Sequence, residues 1–251
     1  MTPKIELRDV HKAFGTNRVL RGVDLAVMPG HSMAVIGGSG SGKSVTIKCV
    51  LGLVTPDRGD VLLDGTPVAA RSRADREALL DGLGMLFQGS ALFDSLRIWE
   101  NVAFRRLRTH GREECRRLAT EKLERVGLGG DLLDRFPAEL SGGMQKRVGL
   151  ARAIATDPSV IFFDEPTTGL DPIMADVIND LIRELVTDMG ATAVTITHDM
   201  ASVRKIADEV AMLHDGVIRW SGPVERMDEA DDAHLAQFIR GDADGPIEAV
   251  R

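Results

Sequence analysis

The segment MAVIGGSGSGKS, residues 33–44, decides the fold of this chain. It begins as a short apolar run, continues as a glycine-rich loop and leads into a helical pattern, the strand, loop and helix order of an α/β unit. Its part GGSGSGKS, residues 37–44, matches G-x-x-x-x-G-K-S. In that pattern backbone N–H groups turn inward around phosphates, the lysine (Lys43) reaches the β and γ phosphates, and the serine (Ser44) can bind magnesium. An accidental glycine-rich turn is the alternative, but the flanking strand and helix favour phosphate binding.

Other apolar runs in the chain also end in polar side chains suited to phosphate chemistry. Asp164 and Glu165 follow the run VIFF, where one carboxylate can hold magnesium and the next can activate a water molecule. His198 follows the β-branched run ATAVTIT, and Gln88 ends the run GLGMLF. Ligands of doubly wound sheets bind beyond the carboxyl ends of the strands, where these side chains are expected. A solvated loop for the Asp-Glu pair and a structural hydrogen bond for the histidine are the alternatives.

The segment LSGGMQKR, residues 140–147, is a second stretch suited to phosphate. Ser141, Gly142 and Gly143 precede a helical pattern, and the N-terminus of a helix favours anions. A chain that already has one phosphate loop therefore raises the question of what a second one binds.

The remaining pattern predicts a mostly parallel core sheet with an antiparallel layer before it. The first 70 residues carry strand signals, including an Asp64-Gly65 turn, and a second hairpin is predicted at Asp215-Gly216. Residues 98–158 have a helical pattern and are interpreted as an inserted helical subdomain. We predict one domain over residues 1–235 and a C-terminal tail over residues 236–251, whose polar composition would by itself indicate a frayed end.

A further helix is predicted between the runs that contain Asp164 and His198. Asp171 is its expected cap, Pro172 its first residue and Gly190 its end. Val177, Leu181 and Leu185 repeat every four residues, a spacing that indicates a helix.

Composition argues against several classes of function. The 251 residues have a net charge of -7, which argues against nonspecific attraction to nucleic acid or anionic lipid. Cys49 and Cys115 are the only cysteines, so neither a disulfide framework nor a zinc site is indicated. No run approaches the roughly 18 apolar residues of a membrane span, so we expect any membrane role to come through a partner.

Taken together, these residues resemble the ATP-binding cassette (ABC) ATPases. In the order of that family, Gly37 to Ser44 match the Walker A loop, Gln88 the Q-loop, Leu140 to Gln145 the signature motif, Asp164 and Glu165 the Walker B pair, Gly169 to Asp171 the D-loop and His198 the H-loop. The resemblance implies an α/β P-loop NTPase cassette that uses ATP and Mg²⁺.

The resemblance also implies roles for individual residues. Glu165 would be the general base, His198 would contact the γ-phosphate, and Lys43 would hold phosphate. Ser44, Gln88 and Asp164 would bind the magnesium ion. The implied nucleotide-binding residues are Phe14, Gly37, Gly38, Ser39, Gly40, Ser41, Gly42, Lys43, Ser44, Val45, Gln88, Ser141, Gly142 and Gly143.

The family pattern implies a homodimer and answers the question of the second phosphate segment. Ser141, Gly142 and Gly143 would bind the γ-phosphate of ATP held by Lys43 of a second chain. Two departures from the family stand out. Phe14 replaces the usual tyrosine that stacks on adenine, and Met144 gives LSGGM in place of LSGGQ.

Within the family, the chain resembles transporter subunits, and among these the ATPase of the Mla (maintenance of lipid asymmetry) phospholipid system and its Mce-linked relatives. The segments that carry this resemblance are GMLFQGSALFDSLRIWENVAF (84–104), LSGGMQKRVGLARAIATDP (140–158) and QFIRGDADGP (237–246). The first two are also similar to amino-acid importer ATPases, so a small-solute importer is the alternative. A non-transport ABC ATPase acting on nucleic acid or the ribosome is a more distant one.

The Mla-like interpretation implies partners and a location. These are a second ATPase subunit, a transmembrane permease and an Mce-type periplasmic lipid-binding protein, with no nucleic acid. The chain would act at the cytoplasmic face of a bacterial inner membrane as a peripheral subunit, and residues from about 236 onward would pack on the neighbouring ATPase subunit. An arginine cluster is interpreted as a solvated helical face or as a contact to permease or anionic head groups. Its members are Arg105, Arg106, Arg108, Arg112, Arg116 and Arg117.

Overall fold

The computed structural model of this protein describes residues 1–248, except for the side chains of residues 73, 76 and 77. The strands are β1 (Ile5–Phe14), β2 (Asn17–Val27), β3 (Ser32–Ile36), β4 (Arg58–Leu63), β5 (Thr66–Pro67), β6 (Leu83–Leu86), β7 (Val160–Asp164), β8 (Thr192–Ile196), β9 (Glu209–His214) and β10 (Val217–Pro223). The α-helices are α1 (Lys43–Val50), α2 (Arg73–Asp81), α3 (Ile98–Val102), α4 (Arg112–Arg125), α5 (Gly142–Ala153), α6 (Pro172–Met189), α7 (Met200–Ile206) and α8 (Ala233–Arg240). Short 3-10 helices cover Val68–Ala70, Phe104–Arg106, Gly130–Leu132, Pro137–Glu139 and Val224–Glu229.

The chain divides into two compact units. Unit 1 comprises Met1–Arg76 and the described residues from Val194 onward, and unit 2 comprises Glu77–Ala193. Strand β8 contains the boundary between them.

Unit 1 contains the predicted antiparallel layer, with strand order β2, β1, β4, β5. Strands β4 and β5 are joined by Asp64 and Gly65, whose φ angles are 51° and 71°. Positive φ at both central residues is the geometry of a tight hairpin turn that suits twisted strands. The prediction of a turn at this Asp-Gly pair is therefore confirmed.

The phosphate-loop strand of unit 1 lies beside a parallel neighbour. Strand β3 is buried along its whole length and pairs in parallel with β9, with Ala34 opposite Val210. Strand β9 turns back into antiparallel β10 through Asp215 and Gly216, whose φ angles are 49° and 74°. The second predicted hairpin is therefore also confirmed.

Unit 2 combines a parallel strand pair with helices. Strands β6 and β7 run in parallel, with Leu86 opposite Phe163. The segment 98–158, predicted to be helical, contains α3, α4 and α5, which pack against one another. Unit 2 also includes β6, β7 and α6, so the compact unit is wider than the predicted helical segment.

Helix α6 begins and ends at the predicted residues. The Asp171 carboxylate accepts hydrogen bonds from the backbone N–H groups of Ile173 and Met174, at 3.0 and 3.1 Å. Gly190 adopts the left-handed conformation, with φ of 59°, and ends the helix.

The buried face of α6 follows the four-residue repeat only in part. Val177 is 37% exposed, whereas Ile178, Ile182 and Leu185 are buried. Residues spaced every four drift around a helix of 3.6 residues per turn, so an apolar face alternates spacings of three and four. Of the three residues with the four-residue spacing, Leu185 is buried, Leu181 is partly buried and Val177 lies outside the buried face.

The C-terminal segment folds back on its own unit. Helix α8 spans the predicted domain boundary between residues 235 and 236, and Leu235 is fully buried. Phe238, Ile239 and Ile247 pack against a core that includes Leu235. The composition alone indicates a frayed end, but the apolar side chains of this segment, up to Ile247, pack against the core of unit 1. The final residues of the predicted tail, 249–251, lie outside the described residues.

No helix within residues 1–248 combines the length and apolar character that crossing a membrane requires. Cys49 and Cys115 are buried free thiols. Burial raises the pKa of the Cys49 thiol to about 11, so it stays protonated at neutral pH.

Candidate functional site

The glycines of the phosphate loop in unit 1 have the backbone geometry that such a loop needs. Gly37, Gly40 and Gly42 have φ angles of 149°, 77° and 110°. A Cβ on Gly37 would lie 2.1 Å from the carbonyl oxygen of Leu213, so no side chain fits there. These positions require glycine for conformation, and at Gly37 for space as well.

Lys43 is the first residue of α1 and lies against the loop that precedes it. Its Nζ donates to the backbone carbonyl oxygens of Gly37 and Gly38, at 2.7 and 2.9 Å. The hydroxyl of Ser41 is buried and has no hydrogen-bond partner among the described residues. A buried polar atom without a partner favours a ligand at this loop.

Two other predicted nucleotide residues lie in unit 1. Phe14 ends β1 and is 52% exposed, with the Lys12 ammonium 5.5 Å from its ring centroid. His198 is exposed and follows Thr197, whose backbone N–H donates to the Val35 carbonyl at 3.4 Å. That bond brings His198 near the carboxyl end of β3, where the phosphate loop begins.

The predicted carboxylates lie at the end of β7 in unit 2. Asp164 is the last residue of this strand and is half-buried. Glu165 follows with φ of 49°, a left-handed conformation that is uncommon for a residue with a side chain. Thr168 holds it at two points: its hydroxyl donates to the Glu165 carboxylate at 3.1 Å and its N–H to the Glu165 carbonyl at 3.3 Å.

Gln88 occupies a position beyond β6 that matches that of Glu165 beyond β7. Leu86 lies opposite Phe163 in the parallel pair, and Gln88 and Glu165 each follow two residues later. Unit 2 therefore brings together three of the predicted site residues, Gln88, Asp164 and Glu165.

Sequence reasoning missed Lys146, which joins these positions. Its Nζ donates to the backbone carbonyl of Gln88 and, at 3.5 Å, to that of Glu165. Burial lowers the pKa of the Lys146 ammonium, while the charges of Glu165 and Asp164 oppose that shift. A lysine within a helical pattern normally indicates a solvated face, so the sequence carried no signal for this contact.

The signature segment begins α5 as expected. Ser141 is the N-cap, and its hydroxyl accepts from the Met144 N–H at 3.4 Å. Gly142 is exposed, and a Cβ built on it would meet nothing within 4 Å. Met144 departs from the usual glutamine, and the side chain of the next residue, Gln145, bonds the carbonyls of Pro137 and Leu140 at 3.0 and 3.2 Å.

The arginine cluster is partly engaged inside unit 2. Arg105 donates to the carbonyls of Leu80 and Leu83, and burial lowers the pKa of its guanidinium. Arg116 makes a two-point ion pair with Asp134, at 2.7 and 2.8 Å. Arg105 and Arg116 therefore have partners within unit 2.

The sequence model of the family described as ABC transporter matches residues 20–168, more than half of the chain. The chain belongs to the ABC transporter ATPase family. As a member it binds ATP and is an ATPase, and the predicted cassette fold is confirmed.

Similar proteins extend the match along the whole cassette. The probable ribonucleotide transport ATP-binding protein mkl of Mycobacterium leprae is 39% identical over 246 residues, covering 97% of this chain and 70% of the relative. The intermembrane phospholipid transport system ATP-binding protein MlaF of Escherichia coli (strain K12) is 38% identical over 246 residues, covering 97% of this chain and 91% of MlaF. A dimeric ATP-binding cassette solved in a post-hydrolysis state with ADP and Pi has a TM-score of 0.78 and 30% identity, covering 88% of this chain and 98% of that one.

Proposed function

We propose that this ABC ATPase is the energy-supplying subunit of a phospholipid transporter, acting at the cytoplasmic face of a bacterial inner membrane. The observation that carries the choice of cargo is the 38% identity to MlaF across 97% of the chain, because MlaF is named for intermembrane phospholipid transport. A transmembrane permease and an Mce-type periplasmic lipid-binding protein are its proposed partners.

The proposed nucleotide site uses the residues that the sequence singled out. The loop from Gly37 to Gly42 and the N-terminus of α1 would bind the phosphates, with Lys43 between them, and Phe14 would stack on adenine. Ser44, Gln88 and Asp164 offer the oxygen ligands that Mg²⁺ prefers, and the ion would neutralise phosphate charge. The orphaned Ser41 hydroxyl is the observation that fits a bound phosphate.

Hydrolysis in this proposal begins with a proton transfer to Glu165. Its carboxylate, oriented by the Thr168 hydroxyl at 3.1 Å, takes a proton from the attacking water. His198 would contact the γ-phosphate and help to position that water. As water attacks, the bond between the γ-phosphorus and the bridging oxygen of the β-phosphate would break, releasing ADP and phosphate. Lys43 and the loop amides would stabilise the charge that develops on these phosphates.

A second copy of the chain would complete the nucleotide site. Ser141, Gly142 and Gly143 of one copy would bind the γ-phosphate held by the other, so ATP binding closes the dimer and hydrolysis opens it. The dimeric form of the similar cassette structure supports this arrangement. The segment from residue 236 onward is proposed to contribute to the contact between copies.

A small-solute importer is the second candidate. The observation that favours it is the 39% identity to mkl, which is named for probable ribonucleotide transport. The two cargo classes call for different partners, because a small-solute importer works with a soluble binding protein and a lipid system with a lipid-binding one.

Substitution of the proposed base tests the catalytic part of the proposal. Glu165→Gln should lower the ATPase rate by about 100-fold to 10,000-fold, because an amide cannot accept the proton. It should still bind ATP and should accumulate as a closed dimer, measured by light scattering with and without ATP. Hydrolysis at the parental rate would show that Glu165 is not the base.

Purification from native membranes tests the cargo. When the tagged chain is purified in mild detergent, a permease, an Mce-type protein and phospholipid should co-purify with it and be identified by mass spectrometry. Recovery of a permease with a soluble solute-binding protein would assign the small-solute class. Recovery of the tagged chain without any permease would contradict the transporter proposal.

A further inference from the structure

Lys146 is a buried ammonium whose hydrogen-bond partners, among the described residues, are backbone carbonyls rather than carboxylates. Its side chain is 5% exposed, and its Nζ donates to the backbone carbonyl oxygens of Gln88 and Glu165. Removing an ammonium from water is costly unless it is well paired, so a lysine kept in this place requires an explanation.

A second buried lysine in the same unit shows the ordinary solution. Lys122 is 3% exposed and pairs with Asp157 at 2.7 Å and with Glu121 at 3.1 Å. It neutralises its charge with carboxylates and lies on α4. Lys146 instead directs its donors to two peptide carbonyls, both in segments that carry proposed site residues.

The Glu165 carbonyl belongs to a residue that needs support. Glu165 has φ of 49°, and a left-handed conformation costs free energy for any residue with a Cβ. Its carbonyl is held by Lys146 at 3.5 Å and by the Thr168 N–H at 3.3 Å. These two donors fix the peptide that sets the direction of the Glu165 side chain.

The Gln88 carbonyl belongs to a segment that α5 holds along its length. Arg152, six residues after Lys146 on α5, donates to the carbonyls of Ser90 and Ala91. Gly149 lies between them, and a Cβ there would come within 2.7 Å of the Leu86 side chain. One face of α5 therefore holds residues 88–91 closely.

We propose that Lys146 is a positioning residue for ATP hydrolysis, which fixes the backbone of Glu165 and of Gln88 to helix α5, whose N-cap is Ser141. The inference rests on the proposed roles of Glu165 and Gln88. It follows that a single helix, α5, would contact phosphate at its N-terminus and hold the backbone of the proposed base, Glu165, through Lys146. A displaced base slows hydrolysis without weakening the loop that binds ATP.

The test compares three substitutions of Lys146 with one of Lys122 in the full chain. Lys146→Met removes the donors at similar volume, Lys146→Arg keeps charged donors, and Lys146→Gln keeps a neutral NH2 group on a shorter side chain. Lys122→Met is the matched control, since it removes a similarly buried ammonium whose ion pairs are with Glu121 and Asp157. ATPase kcat and KM, the Kd of ATP and thermal unfolding are measured for each.

The expected result is a split between rate and binding. Lys146→Met should lower kcat by about 10-fold to 100-fold, since small displacements of a catalytic group cost up to about 100-fold. Its Kd for ATP should stay within about 2-fold, Lys146→Arg should regain most of kcat, and Lys146→Gln should lie between. Lys122→Met should lower the unfolding temperature and leave the kcat of the folded protein unchanged.

Two results would overturn the inference. One is a parental kcat in folded Lys146→Met, or in Lys146→Gln if the Met variant does not fold. The other is a loss of kcat that Arg does not restore and that follows the unfolding temperature, as for a purely structural lysine. Failure of the proposed function looks different, because Glu165→Gln would then hydrolyse ATP at the parental rate.

Discussion

Phe14 tests the adenine contact at the scale of one residue. It is 52% exposed at the end of β1, so removing its ring takes little from the core. Stacking of aromatic rings is worth about 0.5 to 1.5 kcal/mol, so Phe14→Ala should raise the Kd of ATP by about 2-fold to 10-fold. Phe14→Tyr keeps the ring and should bind as the parent does. Fluorescence titration with a nucleotide analogue measures both, and equal affinity of the Ala variant would place adenine elsewhere.

The residues that sequence could identify are those whose function shows in their immediate neighbours. Lys43 follows a glycine loop, and Glu165 follows a buried strand, so the residues next to them in sequence are enough to predict their structural context. Lys146 is different, because its partners lie 58 and 19 residues away along the chain. Nothing in the local pattern separates a lysine on a solvated face from one buried against two carbonyls.

The helices and strands show the same division between local and distant causes. The ends of α6 could be predicted because Asp171 and Gly190 act within one turn of the helix. Its buried face could not, because the packing of neighbouring elements decides that Ile178 is covered and Val177 is 37% exposed. Caps are a property of the segment, whereas burial is a property of the fold.

The contact of β6 with the end of α5 depends on a residue without a side chain. A Cβ on Gly84 would lie 2.5 Å from the Ala153 carbonyl oxygen and 3.0 Å from Pro158. Because the obstacle is backbone, Gly84→Ala should destabilise the fold by about 1 to 3 kcal/mol, measured by urea unfolding. Gly89→Ala is the control, since a Cβ there meets nothing within 4 Å. Equal stability of the two variants would contradict the close packing described here.

Helix α8 holds the segment that follows it through one buried side chain. The Gln237 amide donates to the carbonyls of Asp242 and Ile247, at 3.0 and 3.1 Å, and its oxygen accepts from the Ile247 N–H at 2.7 Å. Gln237→Leu removes these bonds and should cost about 1 to 3 kcal/mol, the penalty for buried polar groups left unpaired.

Hydrogen exchange of residues 242–247 measures this effect at its source. The Ile247 amide should exchange faster in Gln237→Leu, and a protease should cut the segment sooner. Arg240→Ala is the matched control, because it removes only an exposed ion pair with Asp242 and should change little. Unchanged protection in Gln237→Leu would mean that the apolar contacts of Ile247 suffice.

For the molecule as a whole, the order of motifs along the chain is enough to predict the family. Spacing and order are properties of the sequence, so the phosphate loop, the signature segment and the carboxylates could be assigned from letters alone. The division into two compact units could not be predicted in this way. It depends on contacts between residues as distant as Met1–Arg76 and those from Val194 onward, which together form unit 1.

Gly142 offers a test of the proposed dimer, because the fold of the single chain does not require glycine at this position. Gly142 lies in the first turn of α5, is exposed, and a Cβ built on it meets nothing within 4 Å. Gly142→Ala should therefore leave the stability of the monomer unchanged or slightly higher, since alanine favours helix. A phosphate that approaches the backbone from a second copy would meet the new methyl group. In the Glu165→Gln background, the affinity of the ATP-dependent dimer should therefore fall by about 10-fold or more, the equivalent of about 1.4 kcal/mol.

Gly111→Ala is the matched control for the dimer, because Gly111 precedes α4 and a Cβ there also meets nothing within 4 Å. Light scattering with and without ATP, over a range of protein concentrations, should show the same dimer for Glu165→Gln alone and with Gly111→Ala, and an about 10-fold or more weaker dimer with Gly142→Ala. Because a methyl group at either glycine is harmless to the separate chain, a difference between them can arise only where two copies meet. Equal dimerisation of both would mean that the γ-phosphate does not approach Gly142, and the signature segment would then need another ligand.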